Sequence, residues 1–153
     1  MPILHLAQLN VARPRAAMDH EQMAEFAAGL NPVNSLADSA PGFVWRLTDE
    51  GSDDATSTRV YGGEIMVNLS VWESREAVWN FVYKSPHFEY LQRRREWFHR
   101  MAEAYHVLWW VPAGQLPTVE EATGRLDLLR AKGPTADAFT FRQFFEPQSL
   151  AAR

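Results

Sequence analysis

The sequence predicts a single α+β domain, and three observations support this fold class. The chain has 153 residues, a length typical of one domain. Hydrophobic residues make up 46% of it, as in an average globular protein, which excludes a disordered or fibrous chain. Segments with the alternation of β-strands are interspersed with segments that begin at helix-capping residues. We therefore interpret residues 1–153 as one domain that ends in an arm, residues 137–153.

Composition and charge exclude several classes of function. The net charge is −4 at pH 7, which provides no basic field for binding nucleic acid. The chain has no cysteine, so disulfides and thiolate metal sites are excluded. The first eleven residues are too short and too polar for a secretory signal, and no run approaches the roughly 20 apolar residues that cross a bilayer. We expect a cytoplasmic protein that binds neither membranes nor nucleic acid.

The first half of the chain predicts two strands with a helix between them. Alternating residues from Ile3 to Val11 indicate the first strand. A capping residue at Asp19 begins the first helix, which we expect to fade near Gly29–Pro32. Phe43–Leu47 predicts the second strand, and the polar residues Asp49–Arg59 predict a solvated loop after it.

The third predicted strand, Glu64–Trp72, has two faces of different chemistry, because side chains alternate along a strand. The odd positions are wholly aliphatic: Ile65, Val67, Leu69 and Val71. The even positions mix polar and apolar groups: Glu64, Met66, Asn68, Ser70 and Trp72. We interpret the first face as ordinary core and the second as the wall of a pocket or a wet interface.

The second half predicts three helices, a strand and an extended tail. Ser74 caps a helix that runs to about Tyr83, and the Ser85–Pro86 pair begins a long helix that reaches about Tyr105. His106–Val111 predicts the fourth strand. Thr118–Gly133 carries a capping box at its start and a glycine at its end, and therefore predicts a helix. Ala138–Phe145 is interpreted as either a last strand or an extended arm.

The order of strand, helix, strand, strand, helix and strand is that of the ferredoxin-like plan, with an antiparallel sheet and a C-terminal extension. Strands one and four have apolar residues on both faces, as strands do in a sheet covered on both sides. The positions concerned are Leu4, Leu6, Leu108 and Trp110 on one face, and Ile3, Leu9, Val107 and Trp109 on the other. Since the helices cover only one face, we predict that a second copy covers the other in a homodimer.

Two parts of the sequence resemble known proteins. The run Asn68–Ser74, followed by Phe81 and by Ser85–His87, resembles the strand-to-helix stretch of dimeric α/β-barrel proteins. These include antibiotic-biosynthesis monooxygenases and haem-degrading monooxygenases. The run Tyr90–Phe98, with residues 107–114 and the tail 133–141, more closely resembles a bacterial family of the same superfamily that has no assigned function. Both resemblances imply a ferredoxin-like dimeric α/β barrel.

The resemblance to the monooxygenases implies catalytic roles for Asn68 and Trp72. In the cofactor-independent, quinone-forming members, an Asn and a Trp with this spacing contact an aromatic polyphenol. The Asn68 amide would hold a phenolate or peroxide oxygen, and the Trp72 N–H would donate to another oxygen. A deprotonated polyphenol reduces oxygen itself, so no cofactor is required. A tyrosine expected about two turns later is replaced by Val78 or Trp79. The alternative is a purely structural pair.

The haem-degrading relatives imply a third catalytic candidate. They place an Asn on strand one, a Trp near strand three and an axial His on the next helix, and Asn10, Trp72 and His87 match these by residue type. His87 lies later in the chain than that pattern expects. Haem binding or degradation is therefore an alternative function, and the alternative for His87 is a polar residue in the first turn after Pro86.

The predicted long helix carries candidate ligand-binding residues along one stripe. His87, Tyr90, Arg94, Trp97 and Met101 follow a spacing of three and four residues and would share one side of a helix. Such a stripe could hold an acidic aromatic ligand, with Arg94 binding a carboxylate or phenolate through two hydrogen bonds. The ligand-binding candidates are thus Trp79, Tyr90, Arg94 and Trp97.

The three consecutive arginines beside this stripe have different expected roles. We expect Arg93 to lie in solvent and to pair with Glu89, Glu96 or Glu103. A solvated face is the alternative for Arg94 and Arg95 too, but one of the two must face inward.

The remaining motifs narrow the function further. The five histidines have no metal-ligand spacing, and no metal site is predicted. A serine-nucleophile elbow, a phosphate loop and a dinucleotide fingerprint are all missing from the sequence. The leading hypothesis is a small-molecule pocket, in its enzymatic form that of a cofactor-independent monooxygenase-like enzyme acting on an aromatic or polyketide-like compound. The alternatives are a non-catalytic carrier or sensor of a hydrophobic metabolite, and a haem protein.

Overall fold

The fold is built on one antiparallel sheet, which a computed structural model describes within residues 3–147. In that range the strands are β1 (Leu4–Ala12), β2 (Phe43–Arg46), β3 (Arg59–Val60), β4 (Ile65–Trp72) and β5 (His106–Pro112). The α-helices are α1 (Ala24–Asp38), α2 (Arg75–Lys84), α3 (His87–Gln92), α4 (Arg94–Trp97) and α5 (Val119–Lys132). None of the helices in the described range is long and apolar enough to cross a membrane.

The order of the strands across the sheet is β2-β4-β1-β5, and the short β3 pairs with β4 beside β2. Every pairing between these strands is antiparallel. With α1 following β1, and α2 to α4 following β4, this is the predicted ferredoxin-like plan. The prediction of an antiparallel α+β fold with a C-terminal extension is confirmed.

The first helix begins and ends later than predicted, since α1 starts at Ala24 after a 3-10 turn (Glu21–Met23) that His20 and not Asp19 caps. Sequence patterns end it near Gly29–Pro32, but α1 continues through Pro32 to Asp38. An internal proline costs about 3 kcal/mol because it removes a hydrogen bond and crowds the preceding turn. Gly29 and Ala37, on either side of the proline, are both buried. Packing of the helix against the sheet therefore outweighs the local preference to stop.

The long helix predicted from Pro86 to Tyr105 is wrong. The helix breaks at Arg93 and ends at Trp97, and the backbone of Phe98 is extended. After that point the chain pairs with the segment that follows β1. The His99 N–H donates to the Arg13 carbonyl at 2.9 Å, and the Arg15 N–H donates to the Trp97 carbonyl at 2.8 Å. These hydrogen bonds between distant segments replace those of a helix, and helical periodicity gives no sign of them.

The loop and the tail also differ in detail from the predictions. The predicted loop Asp49–Arg59 consists mainly of turns, but its last residue belongs to β3. The tail forms an arm beside β5, where Phe139 and Leu108 exchange backbone hydrogen bonds of 2.9 and 2.8 Å. Of the predicted arm, residues 148–153 lie outside the described residues, as do residues 1–2 of the domain.

The odd face of the sheet, the side on which the odd-numbered residues of β1, β4 and β5 lie, is mainly apolar and buried. It packs in one buried cluster against Ala122, Leu126 and Leu129 of α5. The predicted caps hold this helix: the Thr118 hydroxyl accepts from the Glu121 N–H, and Gly133 ends the helix at a φ of 72°. The chain's own α5 thus covers the face that we assigned to a partner sheet. The homodimer stays a prediction, but burial of this face does not require it.

The even face, on the opposite side of the sheet, lies beneath α1 and α2. One end of it is apolar and packs in a second buried cluster: Leu6, Ala37, Trp72, Val78, Leu108, Trp110 and Phe139. The adjacent indoles of β5 separate as predicted, Trp110 into this cluster and Trp109 into the odd-face cluster. Trp109 contacts α5, where its Nε1–H donates to Glu121 at 3.3 Å. The other end of the even face carries polar side chains beside a hollow.

Candidate functional site

A cavity of about 520 Å³ lies between the even face and helices α1 to α4. This volume lies within the range of about 300–1,000 Å³ that is usual for small-molecule sites. The sheet contributes the polar groups Gln8, Asn10, Asn68, Ser70 and His106, beside apolar ones such as Met66 and Trp72. The helices contribute mainly rings and apolar groups, among them Phe26, Val33, His87, Tyr90 and Trp97, together with the charged Arg94. An open hollow over the loop at residues 48–54 is lined by polar residues and glycine alone, and has no such apolar wall.

Strand register brings the polar groups of the sheet together. In the antiparallel ladders Gln8 lies opposite Ser70, and Asn10 lies opposite both Asn68 and His106. All five have even numbers and therefore share one face. We call Gln8, Asn68, Ser70 and His106 the polar strip.

Hydrogen bonds connect every member of the polar strip. The Gln8 Nε2 donates to Asn68 Oδ1 at 2.7 Å and to Ser70 Oγ at 2.8 Å, while Gln8 Oε1 lies 3.1 Å from His106 Nε2. Gln8 and Ser70 are each only 7% exposed. Buried polar groups are costly unless they are hydrogen-bonded, so this network allows a polar patch beneath an aromatic cavity. Asn68 is exposed at the cavity edge.

Trp72 forms an apolar wall and does not offer a free donor. Its side chain is 2% exposed, and its ring packs 5.3 Å from those of Phe43 and Phe81. Its Nε1–H donates to Ser70 Oγ at 2.9 Å. The expectation that this N–H donates to a substrate is therefore corrected, because a neighbouring hydroxyl already accepts it. Since Ser70 Oγ accepts from both Trp72 and Gln8, its own O–H is left to donate.

His87 borders the cavity with a defined tautomer. Its Nδ1 lies 3.2 Å from the Val82 carbonyl, which can only accept, so Nδ1 carries the proton and Nε2 is left as a base. Burial lowers the pKa of His87, and the Val82 carbonyl opposes this in part. The ring is therefore largely neutral near pH 7, as a proton acceptor must be.

His106 is neutral as well, for a simpler reason. Burial lowers its pKa from 6.5 to about 4. Its ring lies 5.6 Å from that of Phe141, which the C-terminal arm places against the cavity. A neutral His106 next to Gln8 completes a strip without net charge.

Two rings of the predicted helical stripe form the opposite wall. Trp97 is 2% exposed, with ring centroids 5.8 Å from Tyr90 and 5.5 Å from Phe26. The Tyr90 ring lies directly against Gly29 of α1, where an added Cβ would lie 2.3 Å from the ring. A glycine in α1 is therefore what allows Tyr90 to lie close to that helix.

The neighbouring arginines differ as predicted. Arg93 pairs with Glu96 at 2.8 Å and with Glu25 at the surface. Arg94 instead borders the cavity, and its Nη1 donates to the Leu91 carbonyl at 2.9 Å. The buried Nε of Arg94 has no acceptor within residues 3–147. Arg94 is thus the arginine that faces inward.

Trp79, which we predicted to bind ligand, lies outside the cavity. It is 38% exposed on the outer side of α2, with its ring 4.2 Å from that of Tyr83 and 5.3 Å from that of Phe141. The structure brings the other six predicted residues to one cavity: Asn68, Trp72, His87, Tyr90, Arg94 and Trp97. Asn10, the third residue of the haem-type match, borders it too.

Gln8 and His106 are members of the site that the sequence patterns did not single out. Gln8 is a polar residue within a strand whose neighbours are apolar, which is a detectable signal. Its link to His106, 98 positions later, depends on strand register and gives no local signal. Among the described residues, no group of histidines and carboxylates could hold a metal ion.

One family model matches nearly the whole chain, and that family has no assigned function. The family described as a domain of unknown function (DUF3291) matches residues 5–153. No curated protein matches the sequence. Among solved structures, the chain is similar to SnoaB, a cofactor-independent oxygenase from Streptomyces nogalater (20% identity, TM-score 0.44, 74% of this chain and 98% of that chain). It is also similar to a protein of unknown function from Nitrosomonas europaea (12% identity, TM-score 0.48, 77% and 99%).

Proposed function

We propose that this chain, which belongs to the DUF3291 family, binds a planar aromatic molecule with phenolic oxygens and oxidises it with dioxygen. One observation carries the proposal: an aromatic-walled cavity of about 520 Å³ has a hydrogen-bonded polar strip along one side. Apolar walls with a few converging polar groups are the usual form of a small-molecule site.

The walls favour a flat, apolar body. Trp97, Tyr90 and Phe26 border one side of the cavity, and Trp72 and Phe81 border the other end. Aromatic rings gain both buried area and favourable ring contacts when another aromatic group enters between them.

The polar strip favours oxygens with developing negative charge. With Asn68 Oδ1 accepting from Gln8, the Asn68 Nδ2 is the donor that remains at the cavity edge. The Ser70 O–H is a second donor, since Ser70 Oγ already accepts twice. Donors fixed in advance around a developing phenolate stabilise it without reorganisation.

His87 supplies the base that such chemistry needs. Its neutral Nε2 would remove the phenolic proton, and the electron-rich phenolate would then transfer electrons to dioxygen. For a dihydroxynaphthalene, one oxygen atom becomes a new ring carbonyl. The other leaves as water with the hydroxyl hydrogen and the displaced ring hydrogen. The substrate supplies all four electrons, so this reaction is monooxygenase-like and requires no cofactor.

Oxygen uptake with dihydroxynaphthalene tests the proposal. We expect uptake of one dioxygen per quinone formed, measured with an oxygen electrode and by absorbance. The Asn68→Ala variant should be about a hundredfold slower, as when one oxyanion donor is removed. Trp79→Ala is the matched control, because Trp79 lies outside the cavity and should leave the rate unchanged.

Three results would contradict the proposal that the protein oxidises phenols. The first is no uptake above the uncatalysed rate across a panel of such phenols. The second is a change in tryptophan fluorescence without turnover, which would make the protein a carrier or sensor. The third is a haem Soret band that shifts with the protein and not with His87→Ala, which would identify a haem protein.

A further inference from the structure

We infer that the preferred ligand is an aromatic acid, held by its carboxylate at Arg94, an inference that rests on the proposed binding of aromatic molecules in this cavity. The polar strip would then contact the phenolic oxygens, and Arg94 the acidic group. Arg94 selects the substrate in this account and takes no part in the oxidation itself.

The hydrogen bonds of Arg94 are incomplete. Its Nη1 donates to the Leu91 carbonyl, but within residues 3–147 its buried Nε has no acceptor and its guanidinium has no carboxylate partner. A buried donor of a charged group that lacks an acceptor is unfavourable. An acidic group that reached this guanidinium would supply the acceptor that the described chain lacks.

Several other arginines of the chain are neutralised by carboxylates of the protein itself. Arg13 pairs with Glu64, Arg46 with Asp38, and Arg93 with Glu25 and Glu96. Arg130 also has a buried nitrogen without a partner, but its Nε donates to the Ala104 carbonyl and lies 3.5 Å from Glu103. Arg94 and Arg95 both border the cavity without an acid partner in the described range, but of the two it is Arg94 that has a buried nitrogen without an acceptor.

The charge around the cavity also favours an acidic ligand. Among residues 3–147 the only carboxylate that lines it belongs to Asp54, and that group already accepts hydrogen bonds from the N–H and the hydroxyl of Thr56. Arg46 is paired with Asp38, whereas Arg94 and Arg95 line the cavity with no acidic partner among the described residues. A chain with a net charge of −4 thus carries a locally positive cavity, which favours an anion.

A matched pair of ligands separates binding of the carboxylate from binding of the aromatic rings. We would titrate the protein with a hydroxynaphthoic acid and with its primary amide, and follow the fluorescence of the cavity tryptophans. A charge-assisted hydrogen bond to a carboxylate is worth about a factor of 10 to 100 in affinity. The acid should bind more tightly than the amide by about that factor. Arg94→Gln should remove the preference, and Arg94→Lys, which keeps the charge, should retain part of it.

Arg93→Gln is the control for this experiment. Arg93 adjoins Arg94 in sequence, but its guanidinium lies at the surface between two glutamates, so its loss should leave the preference for the acid unchanged. Equal affinity of acid and amide in the wild-type protein would overturn the inference, as would a preference that survives in a folded Arg94→Gln variant. If neither ligand changed the fluorescence, the proposed function itself would fail. If both bound equally, only the role of Arg94 would fail.

Discussion

The two faces of the sheet differ in how completely they are filled. The odd face is apolar, and Ala122, Leu126 and Leu129 of α5 pack against it in one buried cluster. The even face carries the polar strip, and its cover of α1 to α4 leaves a cavity of about 520 Å³. One strand thus supplies both stability and a site, because its side chains alternate between the two faces. Substitutions on the odd face should lower stability, and substitutions beside the cavity on the even face should alter ligand binding.

The same comparison changes the argument for self-association. A lone ferredoxin-like sheet would leave its odd face open, but here α5 closes it within one chain. If the predicted homodimer forms, it must therefore use another surface. Light scattering decides whether the mass in solution is 17.5 kDa or twice that value.

The substitution with the largest expected effect on stability lies on the odd face. Leu126 of α5 is fully buried in the odd-face cluster, so Leu126→Ala should lower the free energy of unfolding by about 2–5 kcal/mol. Leu116→Ala is the control, since Leu116 is 52% exposed and its loss should change stability by less than about 0.5 kcal/mol. Denaturant unfolding measures both. Similar losses in the two variants would mean that α5 does not close this face.

Low pH should lower the free energy of unfolding through His106, which lies on the even face. Because burial lowers the pKa of His106 from 6.5 to about 4, its protonation favours the unfolded chain. This contribution to stability is complete above pH 6.5 and is lost as the pH falls from 6.5 towards 4. The full effect is about 3 kcal/mol. In His106→Gln, whose amide can still bind Gln8, the acid-induced loss in unfolding free energy should be smaller by about that amount.

His99→Gln provides the comparison for this pH experiment, because its imidazole is exposed. Its loss of stability between pH 7 and pH 4 should match that of the wild-type protein. An unchanged loss in His106→Gln would show that His106 is not buried as a neutral ring.

The smallest expected effect on stability comes from substitutions of one helical glycine on each side of the sheet. A Cβ at Gly29 of α1 would lie 2.3 Å from the Tyr90 ring, so Gly29→Ala should displace that ring and destabilise the protein by about 1 kcal/mol. A Cβ at Gly124 of α5 meets nothing within 4 Å, so Gly124→Ala should stabilise by about 0.5–1 kcal/mol through helix propensity. Thermal unfolding measures whether each variant gains or loses stability. A gain in both variants, or a loss in both, would contradict the close approach of Tyr90 to α1.

Local patterns predicted the two faces but not what covers them. The alternation in β4 separated the aliphatic residues from Asn68, Ser70 and Trp72, because one strand contains that information. The caps at Ser74 and Thr118 were predictable for the same reason, since each is a contact over three residues. These features are local and need no knowledge of the fold.

Contacts between distant segments account for what the sequence did not reveal. The helix after Pro86 ends at Trp97 because the next residues pair with the segment after β1. Gln8 joins His106 only through the register of two strands. The cover of the odd face by α5 depends on where a helix packs, which its own capping residues do not determine.

The central claim is that aromatic ligands enter on the even face alone. Indole N–H signals in a nitrogen–proton NMR spectrum report on both faces at once, because Trp72 borders the cavity and Trp109 lies in the odd-face cluster. On addition of a hydroxynaphthalene, we predict that the signals of Trp72 and Trp97 shift with saturation while that of Trp109 stays in place. Saturable shifts confined to Trp109, or no saturable shift at any indole, would contradict the account.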